Sequence, residues 1–335
     1  MRELTAAITG LGLVSPLGIG YDQFAESSAH GVSGIDVWSG GGEQAVLAAE
    51  VTGFRVADYL VAEKTYLDRC SELALAAAKL CLDHAGLSQM PAAPARSGVV
   101  LGTQYGPLAS MANYAQRVRQ RGVRFATPLL FSHAFANTPA SLVSIDFHLQ
   151  GYHATVTSGP ESGWAALHTA LVALAAGHAD ALLAGGCEAL CAERMAALGD
   201  DLVVTDDPDS YDPWTTPGTV PGEGAALLLL EPVAHAQARG ATIHAVLSTR
   251  PDAGTRLLAA PDGRGGVTDC LPTGLWGDAA GAQGALACAL AVVALQHGLV
   301  PPVRGGDDDL DTRREPLPTA ATRIALGSGL SVASA

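Results

Sequence analysis

Ser162-Gly163-Trp164-Ala165-Ala166-Leu167-His168-Thr169-Ala170-Leu171-Val172-Ala173-Leu174-Ala175-Ala176 runs into Gly177-His178-Ala179-Asp180 and then into Ala181-Leu182-Leu183-Ala184-Gly185-Gly186. The first segment is apolar all round, the pattern of a helix buried on every side. Gly177 stops it. The last segment is a short, continuous apolar run, the pattern of a strand covered on both faces. A buried helix feeding a buried strand points to a layered α/β fold.

The same alternation extends outward. Strands are predicted at Ala6–Gly12, Gly98–Gly102, Ala225–Leu230, His244–Ser248 and Arg323–Leu326. Helices are predicted at Tyr21–His30, at Leu67–Ala85 with Gly86 as its stop, and at Ala279–Gly298. The Ala/Gly-rich helices Ser162–Ala176 and Ala279–Gly298 fall one in each half, an echo of internal duplication. No linker divides the chain; Gly305–Pro318 alone reads as an irregular loop.

Composition narrows the function. The 335 residues are 48% hydrophobic and 16% charged, with a net charge of −14. Nucleic acid, which needs clustered cations, is excluded as a partner. Lysine occurs only at Lys64 and Lys79, and no basic stripe is expected. Asp307, Asp308, Asp309 and Asp311 read as a solvated loop. Six scattered cysteines form no CxxC pair, so no metal is expected. Gly10-x-Gly12 lacks the third glycine and distal acid of a dinucleotide fingerprint, and no cofactor is expected. The start of the chain has no secretory pattern, which implies a cytoplasmic protein with reduced thiols. Ala279–Val300 contains Gln283, Gln296 and His297 and reads as a core helix, not a membrane span.

Ile8-Thr9-Gly10-Leu11-Gly12-Leu13-Val14-Ser15-Pro16-Leu17-Gly18 resembles the opening strand and turn of the β-ketoacyl-carrier-protein synthases. Further resemblances follow in order: Asp68-Arg69, Thr127-Pro128 to Asn137, Ser162-Gly163 through Gly185-Gly186-Cys187-Glu188, Ser210-Tyr211-Asp212-Pro213, Gly222-Glu223-Gly224, Gly281-Ala282-Gln283-Gly284 and Val300-Pro301-Pro302. The resemblance implies the thiolase fold, a five-layered α/β/α/β/α arrangement of two similar halves, here 1–245 and a shortened 246–335. The whole of 1–335 would form one unit.

Active members of that family use a cysteine nucleophile at the start of the buried helix and two histidines. Such a thiol is activated by the helix N-terminus, and backbone N–H groups stabilise the oxyanion. Here the motif reads Ser158-Gly159-Pro160-Glu161-Ser162-Gly163, with Pro160 in the nucleophile's place. Proline carries neither a nucleophile nor an N–H. The family's Lys-x-x-x-Gly-His aligns with Thr273 to Asp278, so lysine becomes Thr273 and histidine becomes Asp278. His-Gly-Thr has no counterpart beyond the remnant Asp262-Gly263, and Leu326-Gly327-Ser328-Gly329-Leu330 stands where a Phe-Gly-Phe-Gly-Gly gate is expected.

These losses imply a silent subunit resembling the chain-length factors of type II polyketide systems, of the highly reducing, polyene-forming kind. Its partner would be an active ketosynthase, and an acyl carrier protein would engage indirectly through that partner. The pairing strand would be His153 to Ser158. The partner's acyl tunnel would end against Tyr105, Leu108, Met111, Leu130, Phe131 and Phe135. Two alternatives stay open. One is an acyltransferase or thioesterase using Ser158 or Ser162, with Glu161 a further substitute and Asp278, His153 or His168 as base. The other is an acyl-binding homodimer. Cys187 is expected only to fill the core.

Overall fold

The computed structural model describes residues 3–40, 44–60, 64, 66–213, 215–249, 255–256, 273–298, 323–325 and 330–334. In chain order the strands are β1 Thr5–Ser15, β2 Gly18–Ile19, β3 Asp36–Val37, β4 Leu47–Ala48, β5 Ser97–Gly102, β6 His153–Val156, β7 Ala181–Glu188, β8 Gly224–Glu231, β9 Ala245–Ser248, β10 Thr255–Arg256, β11 Arg323–Ala325 and β12 Ser331–Ala333. The helices are α1 Tyr21–Ala29, α2 Arg69–His84, α3 Leu108–Arg121, α4 Pro128–Ser132, α5 Thr138–Asp146, α6 Ser162–Ala175, α7 Ala192–Leu198, α8 Val233–Ala238, α9 Thr273–Trp276 and α10 Gln283–His297.

One mixed sheet organises the chain, in the order β10-β11-β12-β9-β1-β8-β7-β5-β6, with β2 folded back on β1. β5 lies parallel to β6 and β7, whereas β1 runs antiparallel to both β8 and β9. The apolar strands β1, β5, β7 and β8 are buried along nearly their whole length because helices cover both faces. On one face Leu73, Ala77 and Cys81 of α2 and Val143 of α5 meet Val99, Leu183 and Leu227. On the other, α6 and α10 meet Val100, Leu182 and Leu228. The close approach of α2 to β1 depends on Gly12, where a Cβ would lie 1.8 Å from the Ala77 carbonyl oxygen.

The mixed α/β class and its buried strands agree with the sequence. Ala280–His297 is long and apolar enough to cross a membrane, yet 78% of it is buried inside this fold, so it is a core helix. β9 pairs with β1 on one side and with β12 on the other.

Two expectations need correction. α6 is not buried on every side: His168 is exposed and Val172 is 44% exposed, while Ala166, Leu167, Ala170 and Leu171 are fully buried. Hydrophobic pattern reports burial without saying whether the covering surface belongs to the same chain. A basic cluster also exists: Arg117, Arg119, Arg121 and Arg124 are all exposed at the end of α3 and the turn after it. Scarcity of lysine hid an arginine stripe. The Asp307–Asp311 run, the Gly305–Pro318 loop, Asp262-Gly263 and residues 326–329 lie outside the described residues.

Candidate functional site

β6 ends at Val156, and the chain turns through the single 3-10 turn Gly159–Glu161 into α6. Gly159 adopts φ 65°, a left-handed conformation that glycine takes without strain. Pro160 sits within that turn, exposed, at the start of the helical run. Proline places a pyrrolidine ring there and supplies neither a nucleophile nor an N–H.

Ser162 is fully buried. Its Oγ accepts the Ser158 N–H at 2.8 Å and donates to the Gly159 carbonyl at 2.6 Å. Ser158 and Glu161 are exposed. His153 meets Ser144 of α5, Nδ1 to Oγ 2.9 Å, and burial pushes its pKa down. His168 points out from α6. Among the described residues neither serine hydroxyl is hydrogen-bonded to a histidine or an aspartate, so no nucleophile–base pair is assembled.

The second half of the site follows α9. Gly277 (φ 67°) reverses the chain after Thr273–Trp276. Asp278 then accepts the Ala280 N–H on its Oδ1 at 2.8 Å. Its backbone is fixed as well: its N–H donates to the Val220 carbonyl at 2.7 Å and its carbonyl accepts the Gly222 N–H at 2.7 Å. Ala280 has φ 45°, unusual for a residue with a Cβ. The turn Ala280–Ala282 lies directly against the start of α6: a Cβ on Gly163 would come within 2.8 Å of the Gly281 oxygen, and one on Gly186 within 2.3 Å. The fold thus brings the Pro160 turn and the Asp278 turn together, with Thr273 one helical turn earlier, while His153 and His168 stay apart from them.

Two buried carboxylates hold this framework, and sequence reasoning gave them no role. Glu188, fully buried at the end of β7, accepts the N–H of Gln104 at 2.7 Å, those of Tyr105, Gly106 and Gly281 at 3.2 Å, and the Thr103 hydroxyl at 3.2 Å. Burial pushes its pKa up; the N–H donors and the nearby charge of Arg194 oppose that. Glu223 accepts two guanidinium N–H groups of Arg69, the closer at 2.7 Å, and the N–H of Val51 and Leu190. The signal available was their place in the motifs Gly185-Gly186-Cys187-Glu188 and Gly222-Glu223-Gly224. Arg194 of α7 is 1% exposed and donates to the Gly222 carbonyl at 2.7 Å and the Asp278 carbonyl at 2.6 Å. Nothing in the sequence marked it. Cys187 is a core residue as expected, its Sγ 3.3 Å from that of Cys70.

Of the six tunnel candidates, Tyr105 and Leu108 are half-buried and Leu130 is buried; Met111, Phe131 and Phe135 are exposed. Phe131 packs edge-on against Phe135 with centroids 4.7 Å apart, and Tyr114 joins them at 5.5 Å. Val123, Phe125 and Leu129 add further exposed apolar surface to the same stretch.

Residues 5–236 match the β-ketoacyl synthase N-terminal domain model. A 3-oxoacyl-(acyl-carrier-protein) synthase 2 of Staphylococcus aureus strain MRSA252 is 28% identical over 283 residues, 79% of this chain and 67% of the relative. The chloroplastic 3-oxoacyl-(acyl-carrier-protein) synthase I of Arabidopsis thaliana is 30% identical over 252 residues, 70% of this chain and 53% of the relative. The chain therefore spans about two thirds or less of these relatives. Among solved structures, the ishigamide ketosynthase/chain length factor superposes with a TM-score of 0.81 at 21% identity, covering 99% of this chain and 98% of that one. A β-ketoacyl synthase from Burkholderia phymatum STM815 gives 0.79 at 22%, with the same coverage. The AntDE:AntF complex, a type II PKS acyl-carrier protein with its ketosynthase bound to the hexaketide, gives 0.76 at 18%, again covering 99% and 98%. At these identities the structures speak for the fold.

Proposed function

We propose a function from one premise: the chain belongs to the β-ketoacyl synthase family. Within it, this protein is the non-catalytic, chain-length-factor subunit of a ketosynthase heterodimer. The observation that carries the reading is Pro160 in the turn before α6. Condensation needs a thiolate there to take the acyl group, and an N–H to hold the oxyanion. Pro160 supplies neither, and Thr273 and Asp278 replace the groups that would assist decarboxylation.

The physical role is then to complete a partner. β6 is the terminal strand of the sheet, with one edge free of any strand among the described residues. An open edge beside a partly exposed apolar helix face invites a second chain. Covering it removes apolar surface from water at about 25 cal/mol per Å². The active ketosynthase contributes the cysteine and takes the carrier-bound substrates; the segment from Tyr105 to Phe135 closes its tunnel. We place the heterodimer in the highly reducing branch and in the cytoplasm.

Co-expression with an adjacently encoded ketosynthase tests this. A 1:1 heterodimer by light scattering, condensing malonyl-carrier protein only while the partner keeps its cysteine, is expected. A stable homodimer that turns over acyl thioesters alone would overturn it.

A further inference from the structure

Tyr105 heads the proposed tunnel segment, and its placement is unusually determined. Its backbone N–H reaches both Glu188 carboxylate oxygens at 3.2 Å, and its ring lies 5.4 Å from the Arg194 guanidinium carbon. Arg194 is itself held by the Gly222 and Asp278 carbonyls. Among the described residues its Nε has no hydrogen-bond partner; two carbonyls and one ring hold the guanidinium. α7, which carries Arg194, packs on α3, whose first residue is Leu108. Glu188 also ties the N–H of Gly281 to the Thr103–Gly106 turn. Two buried charged side chains, Glu188 and Arg194, therefore link the Asp278–Gly281 turn to the segment bearing Tyr105 and Leu108.

We propose that Arg194 is a specificity-positioning residue: anchored on the Asp278 carbonyl, it fixes the Tyr105 ring and so sets where the partner's growing chain stops. The position that would have carried a catalytic histidine becomes a fixed point for the tunnel wall. This rests on the chain-length-factor reading above. A planar guanidinium can hold two carbonyls in its plane and still present a flat face to an aromatic ring; a flexible ammonium has no such face and holds the three groups in no fixed arrangement.

The test is product length, read by mass spectrometry from the heterodimer with its ketosynthase. Arg194→Met and Tyr105→Ala should each lengthen the main product by at least one extension unit. The double variant should go no further than Tyr105→Ala, since the two side chains act through one contact. Arg194→Lys should give a mixture of lengths, and Tyr105→Phe, which keeps the ring face, the wild-type product. Where Arg194→Met does not fold, Arg194→Lys and the Tyr105 pair decide. Heterodimers that form normally and keep the wild-type length with Arg194→Met or Arg194→Lys would overturn the inference while leaving the subunit assignment standing. A wild-type chain that pairs with no ketosynthase would remove the assignment itself, and the inference with it.

Discussion

The Ser162 hydroxyl donates to the Gly159 carbonyl at 2.6 Å, which spends its proton on the turn that carries Pro160. A serine so engaged braces the entry to α6 and is unavailable as a nucleophile. Ser162→Ala should lower stability by about 1–3 kcal/mol, the usual scale of two lost hydrogen bonds at a buried hydroxyl. Ser158→Ala should change neither stability nor background acyl transfer. Denaturant titration and an acyl-thioester assay check both; an acyl adduct mapped to either serine would reopen the transferase alternative.

Pro160→Cys restores a thiol at the start of α6 but no catalyst. The helix N-terminus should make the thiol alkylatable near neutral pH. Condensation should stay at background, because Thr273 and Asp278 supply neither the lysine nor the histidine. Iodoacetamide labelling followed by a malonyl-carrier assay separates the two properties.

Val172 is 44% exposed on a helix whose opposite face is fully buried. Val172→Glu should leave the melting temperature of the isolated chain almost unchanged, as surface substitutions usually do. It should abolish pairing with the ketosynthase, because a carboxylate would be buried unpaired in the interface. Light scattering of the co-expressed pair provides the readout. Normal pairing would move the interface away from α6.

Two buried groups should give opposite pH dependences. Burial raises Asp68 from 3.8 to about 6, although the Cys70 N–H and the Ser110 hydroxyl donate to it. The folded state therefore binds more protons than the unfolded state between these values, and stability from this group is lost as pH rises from about 4 to about 6. Burial lowers His84 from 6.5 to about 4, with its Nδ1 accepting the Leu11 N–H at 3.2 Å. There the unfolded state binds more protons, so stability is lost as pH falls from about 6.5 toward 4. Asp68→Asn, which keeps an N-cap acceptor, should deepen the acid-side loss, and His84→Gln should lessen it. Melting temperatures from pH 4 to 7 resolve the two slopes.

What the sequence disclosed, and what it withheld, follows from the range of each interaction. β1, β7 and β8 were legible because a strand buried on both faces needs an unbroken apolar run. The place of Pro160 just ahead of α6 was legible because it is counted along the chain from Ser162-Gly163. α3 escaped notice: in Leu108–Arg121 only Ser110 is buried, so no apolar stripe announces it. The Glu188–Arg194 node escaped because most of its bonds go to backbone groups of segments distant in the chain, and a backbone N–H has no sequence signature. The exposed face of α6 escaped because Val172 reads as apolar whichever chain covers it.

β1 leaves the ribosome long before the two strands that flank it along its length, Gly224–Glu231 and Ala245–Ser248. At about 5–20 residues per second, an emerging chain holds that apolar segment unpaired, except where β2 covers Val14 and Ser15, for roughly ten to fifty seconds before either flanking strand exists. Production in the cell is thus a race between elongation and misassociation, and slower translation, or fewer chaperones, would cost soluble yield before any partner is met.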